Sequence, residues 1–447
     1  MSATKGRGDR DLILSATIMG LGMHLAAWRQ RDGEASDYVD PDLYRELART
    51  AEAGKLHCIF LADTLTNAEE GADRPALGAL DPAVLLSTMA GVTERVGLVG
   101  TASTTFNAPF DLARRFSTLD HLSRGRAGWN AVTTFVPAVA ENFGGTPLPD
   151  REQRYENAAE FIEVVLALWE SWGEGALLGD KAGGRFADPE LVRSIDHRGK
   201  SYEVRGPLTM PRSPQGRPAL FQAGSSEAGR DLAAHFADVV FTAQNVLDAA
   251  VGFRADVRER TAAYGRDPDS IKIVPGILPI LGATEAEARA RKAELDDLAG
   301  TGPELGKLAR RIGLPIELLK LDEQIPFDKL VPEEQFSGSL GFRRAALQLA
   351  EAERLTVREL LVRNGGGHLQ VIGTAEQVAD KVEQWHGAGA VDGFNIMVDV
   401  VPSGLHDAVD QLVPELQRRG LLQTEYEHET LRENLGVVAP KTAGAAA

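Results

Sequence analysis

A single cysteine among 447 residues, Cys58, excludes an internal disulfide and any cysteine-based zinc cluster. Its setting, His57-Cys58-Ile59-Phe60-Leu61, is apolar, which predicts a packed core thiol rather than a nucleophile. Basic residues are also in deficit. With 48 Lys and Arg against 65 Asp and Glu, the formal charge is −17, which disfavours nucleic acid or an anionic membrane as partner. No apolar run approaches the roughly 18 residues of a membrane-spanning helix. Residues Met1 to Arg10 are polar and lack the apolar core of a secretion signal. These absences point to a cytoplasmic protein, with residues 1–10 and the tail 438–447 expected to be disordered.

What is present is a repeated alternation. Strand-like segments, short and rich in apolar or β-branched residues, occur at 12–19, 58–63, 96–103, 126–133, 219–223, 237–243, 272–281 and 393–398. Helical patterns separate them at 41–53, 82–93, 109–122, 151–172, 227–236, 247–264 and 285–298, with a last one at 405–419. Asp40-Pro41 and Asp81-Pro82 place a capping acid before proline at the first helical position. Thr284 to Glu287 has capping-box spacing. Eight strands alternating with helices predict an α/β fold, a single (β/α)8 TIM barrel over 11–437. An open doubly wound sheet is the alternative, but no Gly-x-Gly-x-x-Gly follows the first strand. Two segments exceed the barrel plan, about 173–218 and 299–373, and both are expected to cover the active-site mouth. Arg185, Arg193, His197 and Arg198 make the first of them locally basic, a hint of an anionic substrate that solvated loop charge explains equally well.

In a barrel the chemistry sits at the C-terminal strand ends. Reading those positions gives His24, Asp63, Thr101, Ser103, Asn130 and the turn Gly224-Ser225-Ser226 ahead of a helix. The lining is hydrogen-bonding with few fixed charges, and lacks the carboxylate or histidine clusters of a metal hydrolase, so no metal is expected. Gly224 permits a tight turn, the serines cap, and the free N–H groups of the first helical turn form an anion site. An ordinary helix cap is the simpler account of that turn by itself. The lining as a whole suits a phosphate-bearing cofactor with a heteroaromatic ring. An unrelated sugar-phosphate barrel enzyme remains a competing account.

Four segments carry a more specific likeness: Phe60-Leu-Ala-Asp63, Leu122 to Thr134 (LSRGRAGWNAVTT), Ala223 to Asp231 (AGSSEAGRD) and Ala27-Trp28-Arg29. Together they resemble the bacterial-luciferase-like flavin monooxygenases, in the branch that acts on nitrilotriacetate and dibenzothiophene sulfone. The resemblance covers about Leu12 to Val401. It implies a monooxygenase that takes reduced FMN from a separate NAD(P)H:FMN reductase. The reduced FMN and O2 would act through a C4a-peroxyflavin to oxygenate nitrogen, sulfur or carbon of a small organic substrate. It also implies a homodimer or homotetramer. By the same resemblance, Asp63, Thr101, Ser103 and Asn130 face the flavin ring, while Gly224, Ser225, Ser226 and Tyr155 hold its phosphate. Arg151 stands where many relatives have histidine, and Met23 replaces one of two adjacent histidines, leaving His24 as the catalytic candidate. Trp28, Phe106, Trp129 and Phe135 are expected at the mouth, with Trp28, Phe106 and His368 as substrate contacts. Asn364 to His368 reads as a glycine-rich hinge. A deazaflavin-dependent dehydrogenase of the same superfamily and a non-catalytic flavin-binding protein are the alternatives.

Overall fold

The computed structural model describes residues 12–30, 32–66, 78, 80–364 and 367–437. The two expected disordered ends lie outside the described residues, as does the centre of the Asn364–His368 stretch. Thirteen strands are seen among the described residues. They are β1 (Ile13–Ile18), β2 (Cys58–Leu61), β3 (Gly97–Ser103), β4 (Ala127–Val132), β5 (Leu177–Asp180), β6 (Arg185–Ala187), β7 (His197–Arg198), β8 (Glu203–Val204), β9 (Ala219–Gln222), β10 (Val239–Thr242), β11 (Lys272–Leu281), β12 (Leu369–Gly373) and β13 (Gly393–Met397). Eight of these close a parallel ring in the order β1, β2, β3, β4, β9, β10, β11, β13, and the β10–β11 pairing completes it. The predicted TIM barrel is the observed fold, and its eight strands are the eight expected.

Closure makes every barrel strand two-faced, with alternate residues pointing inward and outward. Ile13, Cys58, Phe60, Val99, Ala219, Phe221, Val239 and Val274 share the interior, and Phe241 packs against them. Phe60 meets Phe221 and Phe241 with ring centroids 6.2 and 5.3 Å apart. Burial of each such ring contributes on the order of 2–3 kcal/mol. The outward residues pack against the helices. Trp129 is one of them, fully buried among Phe116, Phe161 and Trp169, its indole N–H donating to the Ala102 carbonyl. Its expected place at the mouth is therefore corrected: Asn130 points into the barrel, so Trp129 must point out.

Helices start where their caps predict. Asp40 accepts from Asp42 N, Asp81 from Val84 N, and Thr284 with Glu287 forms the capping box. The last barrel helix departs from its pattern. It breaks into Ser403–Asp407, a π turn over Ala408–Leu412, and Val413–Arg418. Pro414 lacks the N–H an unbroken α-helix requires at that turn.

The insertions differ in position. Segment 299–373 holds helices Thr301–Ile312, Leu340–Glu353 and Val357–Arg363, then β12, which extends the sheet beside the C-terminal half of β11. It reaches the barrel's C-terminal end. Segment 173–218 does not, which corrects the expectation that it covers the mouth. Leu208 N donates to Ser171 Oγ, and Gln215 donates to Asp120 and to the carbonyl of Ala127, the first residue of β4. The hairpin β7–β8 leans on helix Arg151–Trp169, where Glu160 receives His197, Ser201 and Tyr202. A segment leading from a helix into the next parallel strand must pass the strand's N-terminal end. Among its basic residues, His197 and Lys200 pair with Glu160 and Glu156 on that outer helix.

The N-terminal end of the barrel is closed by the chain's C-terminal segment. Leu431, Leu435 and Val437 join the interior cluster, and Arg432 clamps Asp238 with two bonds of 2.6 and 2.9 Å. Burial alone would raise the Asp238 carboxyl, but Arg432 and Arg217 outweigh it and hold the group below its ordinary range. Arg432→Ala strands a buried carboxylate and should cost about 3–5 kcal/mol, read as a lower urea midpoint at neutral pH. The gap between variant and parent should narrow on acidification through the carboxyl's lowered range, where the pair's contribution is lost.

Candidate active site

The inward-facing positions change character along the barrel axis. Above the phenylalanine layer they become Thr17, Thr101, Ser103, Asn130 and Asn395, all at most 6% exposed. Asn130 Nδ2 donates to Thr101 Oγ1 at 2.9 Å. Asn130 Oδ1, Thr17 Oγ1 and Asn395 Oδ1 are buried with no protein partner among the described residues. Each such orphan costs about 1–3 kcal/mol unless something bonds it. Thr17 and Asn395 were missed in the sequence, although the alternation of β1 and β13 gives both away: each lies an even number of residues beyond an inward Ile13 or Gly393. Ser103 behaves differently from its neighbours. Its hydroxyl is shared with Thr134 Oγ1 at 2.7 Å and accepts from Thr105 N, so it is spent on the loop.

The second cluster lies after β9. Ser226 caps helix Glu227–Phe236 by accepting from Gly229 N at 3.1 Å, and it donates to Tyr155 Oη at 3.3 Å. Tyr155 therefore has its own proton left to donate elsewhere. Ser225 Oγ lies 2.8 Å from Thr242 Oγ1. Gly224 and Gly229 touch so closely that a Cβ on Gly229 would stand 2.8 Å from Gly224 Cα and 3.1 Å from Tyr155 Oη. The cradle thus admits no larger residue at that point. Arg151 lines the same cavity of about 560 Å3 as Tyr155 and Ser226, with one donor committed to the Phe336 carbonyl at 2.7 Å.

His24 follows β1. Its Nδ1 accepts from Ala26 N and its Nε2 lies 3.2 Å from Asp296 Oδ1, so both ring nitrogens are engaged. Burial would raise Asp296, but bonds from His24 and from Lys292 win and keep it a carboxylate. Trp28 is 40% exposed, and Phe106 stacks on Phe143 at 4.6 Å. His368 lies in the mouth, not on its rim. It is 2% exposed, 5.4 Å from the Phe241 ring and 5.2 Å from Phe342, above Gly276, where any side chain would strike it. Burial foremost, and then Arg311, lowers its pKa to about 3, so the imidazole is neutral. Asp63 stands at the end of β2, its carboxyl raised to about 6 by partial burial and by the charge of Asp81.

Comparison with known proteins gives the arrangement its family. The description Luciferase-like monooxygenase matches residues 22–392, most of the chain. The chain belongs to the luciferase-like monooxygenase family. This monooxygenase is 42% identical to N-acetyl-S-(2-succino)cysteine monooxygenase of Bacillus subtilis, over 96% of this chain and 98% of the relative. It is 43% identical to nitrilotriacetate monooxygenase component A of Aminobacter aminovorans, over 94% and 95% of the two chains. Among solved structures it is similar to a riboflavin lyase held with modified FMN and riboflavin, with TM-score 0.83, 31% identity, and 96% and 97% coverage. The monooxygenase is an oxidoreductase that works with a flavin and O2, as its family implies. No helix among its described residues is long and apolar enough to cross a membrane.

The raised Asp63 carboxyl has a measurable consequence. Between its unfolded value near 4 and its folded value of about 6, the native monooxygenase binds the extra proton, so stability falls as pH rises through that window. Asp63→Asn should remove that part of the slope in urea melts of the flavin-free protein from pH 4 to 7. An unchanged slope would place the titration elsewhere.

Proposed function

We propose that the protein is the oxygenating component of a two-component system, using reduced FMN from a separate NAD(P)H:FMN reductase. The observation that carries this reading is the pairing of two unlike clusters at one barrel end. A row of orphaned buried acceptors and hydroxyls (Thr17, Asn130, Asn395) suits the edge of a polar heteroaromatic ring. The Ser225, Ser226 and Tyr155 hydroxyls, beside the free N–H groups of a helix start, suit a phosphate. β4 and β9 are adjacent, with Asn130 opposite Phe221, so the two clusters are contiguous. A sugar phosphate would leave the orphaned row unanswered. A deazaflavin reading lacks the support that the riboflavin lyase with its FMN gives here.

When bound, reduced flavin supplies the electrons that let one oxygen atom of O2 enter the substrate. The chain supplies the rest. Ser225, Ser226 and Tyr155 anchor the phosphate, with Arg151 lending charge to their cavity. Asp63, Thr101 and Asn130 align the ring edge, Ser103 orders the loop beside it, and Gly224 lets the backbone approach. Phe60, Phe221 and Phe241 exclude water from below. Trp28 and Phe106 contribute apolar surface at the mouth for substrate. His24, tied at both nitrogens, acts as a positioning residue that holds the loop after β1 and presents Asp296. An assembly of two or four copies completes the reading.

Ser225→Ala with Ser226→Ala should weaken FMN binding by about tenfold or more, since bonds to a charged group are worth about 1.5–3 kcal/mol each. Unchanged affinity in a fluorescence titration of folded protein would sink the phosphate assignment. His24→Ala should bind FMN normally yet lose product formation at saturating reduced FMN, followed by mass detection of 18O incorporation. Wild-type turnover would leave His24 a purely structural residue.

A further inference from the structure

Arg311 lies in the last turn of the insertion helix Thr301–Ile312 and has no carboxylate partner among the described residues. Its Nη1 donates to the side-chain and main-chain oxygens of Asn364, at 2.7 and 3.3 Å. Its Nε and Nη2 have no partner among the described residues. Glu304 acts on it from a distance and forms no ion pair. Arg311 is half-buried, and the segment 299–363 around it carries 20 charged residues, several of which pair with one another, as Arg344 does with Glu333 and Arg358 with Asp322.

Unmet polar atoms surround this group. The Gly367 position lies against the Arg311 guanidinium, with Cζ 3.5 Å from where a Cβ would stand. The next residue is His368, whose buried Nδ1 has no partner. Asn364 Nδ2 and Asn245 Oδ1 are likewise buried and unpartnered, and Asn245 reaches the Gly367 carbonyl from the end of β10. Phe241 links His368 to the phenylalanine layer of the barrel interior. The fixed positive charge, the neutral imidazole and the free amide N–H form one donor set, contributed by the segment that covers the mouth.

The geometry points to Arg311, with Asn364 and His368, as a subsite for a carboxylate group of the substrate, making this monooxygenase selective for organic acids. The inference rests on the flavin reading above, in which Ser225, Ser226 and Tyr155 already take the phosphate and leave this cation for the substrate. Asn364 holds the guanidinium plane so that its remaining edge is presented as a fork, the arrangement that suits two carboxylate oxygens.

The test uses full-length protein saturated with FMN, with nitrilotriacetate and its carboxylate-free trimethyl ester as probes in calorimetric titrations. Nitrilotriacetate should bind and the ester should not. Arg311→Met should weaken nitrilotriacetate at least tenfold while the separate FMN titration stays at the wild-type value, and Arg311→Lys should fall between. In wild-type protein, nitrilotriacetate should protect Arg311 from phenylglyoxal, read by peptide mass, which keeps the test decisive if the methionine variant does not fold. Equal nitrilotriacetate affinity in Arg311→Met, equal binding of the ester, or unprotected Arg311 would each overturn the inference. Loss of FMN affinity in a folded Arg311→Met would reassign the cation to the flavin phosphate. If wild-type protein binds no FMN, the flavin reading fails instead, and the carboxylate titration without FMN judges the subsite alone.

Discussion

The constraint on which this structure depends is ring closure. Once β10 pairs with β11, no barrel strand has a free edge, and every second residue of eight strands must enter a shared interior. That interior is filled from below by Leu431, Leu435 and Val437 and at its centre by Phe60, Phe221 and Phe241. The remaining height is lined by Thr17, Thr101, Asn130 and Asn395. An apolar filling at one level and polar atoms without partners at the next is what a site for a polar ring requires. The Arg432–Asp238 pair closes the other end and keeps the chemistry on one face.

The two insertions show how position, more than composition, assigns a role. Both are rich in charge and lack barrel periodicity. One enters a strand from its N-terminal end and so lies against the outer helix and the barrel base. The other leaves the seventh unit at its C-terminal end and therefore brings Phe336, Gly341, Gly367 and His368 to the mouth. Phe336 occupies a donor of Arg151, and Gly341 packs on Ser225, so the covering segment touches the cluster proposed to take the phosphate. Changes in that segment are thus expected to reach both substrate and cofactor.

The serine turn illustrates the gain from structure over motif. A Gly-Ser-Ser before a helix is as readily a cap as a phosphate site, and here Ser226 does cap, through Gly229 N. The same hydroxyl also donates to Tyr155, which frees the phenol to donate outward. One serine therefore performs the cap and joins the proposed phosphate cradle. His24 makes two contacts, to Ala26 and to Asp296, that fix its ring in the loop after β1.

The sequence by itself determined the eight strands, their order and most helix starts, and it pointed to Asp63, Thr101, Asn130, Ser225 and Ser226 as polar groups at the strand ends, with Tyr155 added by the family resemblance. These are legible because hydrophobic period, capping acids and tight turns are local properties of the chain. Only the tertiary structure decided that Trp129 packs outward, that Thr17 and Asn395 join the site, and that segment 173–218 lies at the barrel base. It also decided that Arg311, 57 residues from His368 in sequence, has no acid partner among the described residues and lies near that imidazole. Partnerlessness is not encoded at a position. It follows from which groups the fold brings near and which it keeps apart.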